Sequence, residues 1–152
     1  MSLDIWARIK NKKIHEYEQL GTAYRGWDRE EKIRTQTNLT DKVLWINITH
    51  NLAEMAAHVP IQFTDIEGNK HDTDLYHIMW RPKEVFKKEI IVLNDLKRPL
   101  KVALEYVLSM EDELSEYNPD NGWGHYENFC YVIPEYIRAC YKWPDAIVKV
   151  SR

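Results

Sequence analysis

Leu3-Asp4-Ile5-Trp6-Ala7-Arg8-Ile9-Lys10 alternates apolar and polar side chains at every step. That period of two predicts a strand with one buried face, and it commits the chain to a sheet. Val43 to Ile48, rich in β-branched and aromatic residues, predicts a second strand. Its end is ambiguous, because Leu44, Ile48, Leu52, Met55 and Val59 also trace a helical stripe. We take it as a strand that hands over to a helix near residue 50. Asn51 and Glu54 then resemble a capping pair for a helix over Leu52 to His58, which Pro60 ends. Pro144-Asp145 turns the chain into a terminal strand, Ala146 to Val150.

Between the first two strands the pattern weakens. Asn11-Lys12-Lys13 predicts a turn, Ile14 to Gln19 a poorer strand, and Gly21 to Trp27 a glycine-bracketed aromatic loop. Asp28 to Arg34 reads as a solvated loop or one exposed helical turn. Residues 60–72 suggest an irregular hairpin turning at Gly68-Asn69, followed by a short helix over Asp74 to Met79.

Pro82 suits the first turn of a helix carried by Val85, Phe86, Ile90 and Leu93. Pro99 opens another, with Leu100, Ala103, Leu104, Val107 and Leu108 as its apolar face. Tyr126, Phe129, Cys130, Ile133, Ile137 and Cys140 mark a long amphipathic helix, which Pro134 should kink. The expectation is one α+β domain over residues 1–152. A small, mostly antiparallel sheet is covered by three or four helices, and the C-terminal half is helix-rich.

Composition bounds the function classes. A net charge of −3 offers no global basic field for a nucleic-acid partner. No apolar run reaches the ~20 residues of a membrane span, and an apolar signal core is missing at the start, so a cytoplasmic setting is expected. Asn38-Leu39-Thr40 and Asn47-Ile48-Thr49 match a glycosylation pattern that carries no weight without a secretory signal. Cys130 and Cys140 lie about 15 Å apart along one predicted helix, too far to bridge. Six Trp and nine Tyr supply core mass, but also stacking or interface surface, so self-association fits as well.

Two junctions concentrate side chains with chemistry. Asn47, His50 and Asn51 cluster where the strand hands over to the helix, a place where polar groups often meet ligands. The plainer explanation makes Asn51 a cap and the other two partners of buried backbone groups. Asn118-Pro119-Asp120-Asn121-Gly122-Trp123-Gly124-His125-Tyr126-Glu127 packs turn formers, a glycine-flanked tryptophan, two rings and a carboxylate ahead of a helix start. The competing explanation has Trp123 plugging the core and Glu127 favourable at a helix N-terminus. Trp80-Arg81 pairs a flat ring with a bidentate donor for phosphate or carboxylate, the competing explanation being a surface salt bridge from Arg81, and Tyr24-Arg25 is a weaker copy. His50, Glu54 and His58, or His71, Asp72, Asp74 and His77, form no dense metal-ligand pattern. No phosphate loop, nucleophile elbow or zinc-protease helix is present in the sequence.

Asn47-Ile48-Thr49-His50-Asn51-Leu52, Leu75 with Trp80-Arg81-Pro82, the stretch from Asn118 to Glu127, and Pro144-Asp145-Ala146 through Val150-Ser151-Arg152 together resemble small proteins of phages and prophages. The resemblance covers roughly the C-terminal two thirds, plus Asp4-Ile5-Trp6. It implies a phage or mobile-element setting rather than a chemistry. Pro60 to Thr73 looks like an insertion against that pattern, and Pro134 stands where a helix former is expected.

The leading expectation is a non-enzymatic protein that binds a small polar or anionic ligand, with no cofactor and no metal. A nucleotide-like molecule fits best, stacked by Trp80, Trp123 or Tyr126 and bonded by Arg81, Asn47, Asn51 and His50. Asn121, His125 and Glu127 complete the candidate set. In a phage setting the specific version is sequestration of a nucleotide-derived signal of host defence. The alternatives are a hydrolase or transferase with His50 or His125 as general base, paired with Glu127 or Asp120, and a protein–protein interaction module.

Overall fold

Alternation along the first strand is realised in full, with Leu3, Ile5 and Ala7 completely buried and Ser2, Asp4, Trp6 and Arg8 on the other face. The structure, a computed structural model, describes residues 2–9 and 42–152. The weaker strand expected over Ile14 to Gln19, the Gly21 to Trp27 loop and the Asp28 to Arg34 stretch lie outside the described residues, as does Tyr24-Arg25. Strand β1 (Ser2–Arg8) pairs antiparallel with β2 (Lys42–Thr49) on one side and with β6 (Ile147–Ser151) on the other. A two-residue strand, β5 (Ile91–Val92), adds to the far edge of β6. The order is β2-β1-β6-β5, all antiparallel, and the class is α+β. A separate hairpin, β3 (Pro60–Thr64) and β4 (Lys70–Asp74), turns through Gly68 at φ +88°.

Among the described residues the helices lie between β2 and β6 in sequence: α1 (Ala53–Ala57), α2 (Leu75–Trp80), α3 (Pro82–Phe86), α4 (Leu93–Ser109), α5 (Glu111–Ser115) and α6 (Tyr126–Lys142). A 3-10 turn, His50–Leu52, leads into α1. Among the described residues, buried side chains of these helices and of the two sheets form one apolar cluster, centred where α4 and α6 pack together beneath the inner face of the four-stranded sheet. Among the described residues no helix is long and apolar enough to cross a membrane.

Three local expectations are corrected. The helix opened by Pro82 does not run on to Ile90 and Leu93; it stops at Phe86, where Lys87 takes a left-handed φ of 53°. Ile91 and Val92 then pair with β6. Nor does Pro99 open α4, which starts at Leu93 and carries Pro99 inside it. The start is set by Asp95, whose carboxylate accepts from Val92 N–H at 3.0 Å. Leu93 and Leu96 extend the stripe of Leu100, Ala103 and Val107 backwards at helical spacing, and all five are fully buried. Finally, Asn51 does not cap a helix. Thr49 does, its hydroxyl accepting from Asn51 N–H at 3.3 Å, which leaves the Asn51 amide free to reach elsewhere.

Pro134 lies inside α6, which continues to Lys142. Cys130 and Cys140 are both free thiols, and burial pushes Cys140 up to about 12.

Candidate functional site

The segment from Asn118 to Glu127 is built by side-chain amides that stand in for backbone partners. Asn118 Oδ1 accepts from Tyr126 N–H at 2.8 Å, and Asn121 Oδ1 accepts from Trp123 N–H at 2.9 Å. The second is an Asx turn, which holds the chain through positive-φ Gly122 and Gly124. Gly124 is also pinned sterically, since a Cβ there would lie 2.7 Å from Thr49 Cγ2 and 3.0 Å from Leu52 Cγ. Asn51 Nδ2 donates to the Trp123 carbonyl at 3.4 Å and ties this turn to the end of β2. Trp123 itself points outward and is 71% exposed.

Tyr126 does the opposite. Its ring is buried and its hydroxyl donates to the Val107 carbonyl at 2.6 Å, locking α6 to α4. Burial raises the phenol well above its ordinary pKa. His125 and Glu127 are exposed on the same junction, with His125 N–H bonded to Asn128 Oδ1.

The tryptophan–arginine pair sits at the α2–α3 corner. Trp80 is 2% exposed, stacks on Tyr76 with centroids 5.4 Å apart, and donates its Nε1–H to His50 Nδ1 at 3.2 Å. With Nδ1 accepting, the His50 proton resides on Nε2, which is buried and has no hydrogen-bond partner among the described residues. Arg81 donates from Nε to the Tyr76 hydroxyl at 3.1 Å and from Nη1 to Glu84 at 3.0 Å. Those two bonds raise its pKa, Tyr76 contributing most, so the guanidinium is a fixed cation.

The three motifs are therefore joined in a line, Arg81–Tyr76–Trp80–His50 and then Asn51–Trp123, by hydrogen bonds and ring contact. Asn47 stands apart on the outer sheet face, where Nδ2 donates to Ser2 Oγ at 2.9 Å and to Asp4 Oδ1 at 2.7 Å.

A cavity of about 360 Å³ opens beside the arginine corner, within the usual range for a small-ligand site. Trp80, Arg81, Pro82, Lys83 and Glu84 form one wall, while Ile91 and the β6 stretch Val148, Lys149, Val150 with Arg152 form the other. Among the described residues, four cationic residues and one carboxylate thus line the crevice, and that carboxylate is engaged by Arg81. Among the described residues Lys83, Lys149 and Arg152 have no ion-pair partner. Sequence reasoning found Trp80 and Arg81 but missed Lys83, Lys149 and Arg152. A signal existed for Lys83, two residues from Arg81; for the other two, only the pairing of β6 beside β5 brings them here.

The histidines considered for metal are engaged elsewhere. His71 Nε2 donates to Asp65 at 2.7 Å, His77 Nδ1 to Asp74 at 2.9 Å, and His58 Nδ1 to the Glu54 carbonyl at 2.8 Å. Among the described residues no three His, Cys, Asp or Glu side chains form a group that could hold a metal ion. No family model, no curated protein and no solved structure matches this chain.

Proposed function

We propose that this protein binds a small anionic ligand in the crevice between the Trp80-Arg81-Pro82 corner and the end of β6. The supporting observation is the local reversal of charge. Arg81 and Lys83 on one wall and Lys149 and Arg152 on the other line the crevice with Glu84 as the single acid among the described residues, in a chain whose net charge is −3. Cations gathered against the global charge raise the local concentration of an anion and orient it. Pro82, Ile91, Val148 and Val150 supply an apolar floor, which suits an anion with an organic body. A nucleotide-derived molecule meets both demands. In the phage setting implied by the sequence resemblance, the role is sequestration of such a signal of host defence.

Isothermal titration against pyrophosphate and a nucleotide panel tests this. Binding is expected, weakened about tenfold by Lys149→Ala or Arg152→Ala and weakened by added salt. Ligand recovered intact by chromatography supports sequestration, whereas turnover transfers the crevice to the enzyme class. Silence across the whole panel removes the proposal.

A second reading rests on Trp123. An indole held outward by an Asx turn is a rigid aromatic anchor of the kind that dominates protein interfaces. Capture of an intact protein partner that Trp123→Ala abolishes and Lys149→Ala leaves alone favours the interaction module.

A further inference from the structure

Trp6 stands between Trp45 and Lys149 in the sheet register, paired with the first across β2 and with the second across β6. All three project on the outer face, because Leu3, Ile5 and Ala7 of β1 with Ile46 of β2 and Val148 of β6 turn into the core. Lys149 lies on the stretch of β6 beyond its pairing with β5, so it is at once the outer-face end of this cross-strand row and one of the residues lining the crevice at that edge. Strands lie about 4.8 Å apart, so Lys149 and Trp45 are separated by about 10 Å along a straight line. Trp45 is 62% exposed, and Lys42 Nζ lies 5.6 Å from the centre of the Trp6 ring, adding a further positive charge to the row.

From this we infer that the crevice and the outer sheet face form one continuous site for a nucleoside diphosphate or a larger nucleotide, with its phosphates in the crevice and its base on the tryptophan row at Trp45. The inference rests on the crevice being an anion site. Charge and chemistry suit the two ends separately: cations meet the phosphates, while the exposed Trp45 indole stacks a heterocycle of any identity. The neighbouring row, with Asp4 on β1 next to Trp6 and Asn47 across from it on β2, flanks the part between them. Asn47 uses Nδ2 on Ser2 and Asp4, so its carbonyl oxygen and the second carboxylate oxygen of Asp4 present acceptors to ribose hydroxyl donors. Trp80 and Trp123 are not the stacking surface in this arrangement, the first being buried and the second standing on a different turn.

Titration of the whole protein with pyrophosphate and with ADP separates the two ideas. ADP is expected to bind about tenfold more tightly than pyrophosphate, the scale of one base–aromatic stack. Trp45→Ala should remove most of that advantage while leaving pyrophosphate affinity and the thermal midpoint unchanged, and Trp123→Ala should alter neither ligand. ADP no tighter than pyrophosphate, or ADP affinity indifferent to Trp45→Ala, overturns the tryptophan row and leaves the crevice standing. Failure of both ligands to bind removes the crevice, and the row with it.

Discussion

Trp80 closes a helix and is 2% exposed, whereas Trp123 rides a turn between two glycines and is 71% exposed. Both stand among turn formers beside a titratable or cationic side chain, and in sequence they are equal candidates to stack on a ligand. The difference comes from what precedes each ring. Trp80 follows Leu75, Ile78 and Met79, all fully buried, and inherits the inward face of α2. Its indole N–H would be stranded there without His50. Trp123 follows an Asx turn whose bonds are complete without the ring. One tryptophan is part of the packing that shapes the crevice wall, and the other is carried by a finished scaffold. A tryptophan's partners decide its role more than its flanking chemistry does.

The strongest way to break this contrast is to disturb the scaffold itself. Gly124→Ala combines a positive φ of 105° with a Cβ driven to 2.7 Å from Thr49 Cγ2. The expected loss is about 2–4 kcal/mol, from left-handed backbone strain plus overpacking. Gly122 has φ 75° and open space around it, so Gly122→Ala should cost about 1 kcal/mol. Urea denaturation of the two variants checks the ordering; equal losses would mean that the turn is not wedged against Thr49 and Leu52.

Next in size is the indole–imidazole bond. Trp80→Phe removes the donor, leaves His50 Nδ1 unsatisfied beside an already orphaned Nε2, and should cost about 1–3 kcal/mol. A double-mutant cycle with His50→Phe isolates the bond, with a coupling of about 1 kcal/mol expected. No coupling would make Trp80 a mere space filler.

These sites also mark how far the sequence could be read. The strands with strict alternation or dense β-branching, Ser2–Arg8, Lys42–Thr49 and Ile147–Ser151, were legible because a period of two has few competing explanations. The starts at Pro82 and Tyr126 were legible too, but those at Leu93 and His50 were not, because the decisive bonds come from Asp95 and Thr49, which no apolar pattern marks. Strand β5 is two residues long and exists only through β6. The crevice was half legible for the same reason. Arg81 announces itself beside a tryptophan, whereas Lys149 and Arg152 acquire a role from a neighbour more than sixty residues away in sequence.

A carboxylate-capped turn sharpens the comparison with the amide-capped one. At the tip of the β3–β4 hairpin, Asp65 accepts from Glu67 and Asn69 N–H, each at 2.9 Å, and from His71 at 2.7 Å. His71 chiefly, with the two backbone donors, holds the carboxyl at about 2, below its ordinary 3.8. A depressed carboxylate stabilises fully above its unfolded pKa, and the contribution fades as pH falls from 3.8 towards about 2. Thermal melts should therefore show wild type losing more stability than Asp65→Asn across that acid window. Asn121, an amide doing the same job, adds no such slope. Parallel acid profiles for wild type and Asp65→Asn would refute the assignment.

The smallest effect closes the comparison where it began. Trp123→Ala removes the largest side chain of its turn, yet Asn121 still accepts the backbone N–H and Asn51 still donates to the backbone carbonyl. Neither bond involves the indole, and 71% of the residue already faces solvent. The expected change in unfolding free energy is within about 0.5 kcal/mol, an ordinary surface substitution. A loss near that of Trp80→Phe would show the ring supporting the turn after all, and the division between a wall tryptophan and a carried one would fail. With stability unchanged, any binding lost in Trp123→Ala belongs to contact with a partner and not to the fold.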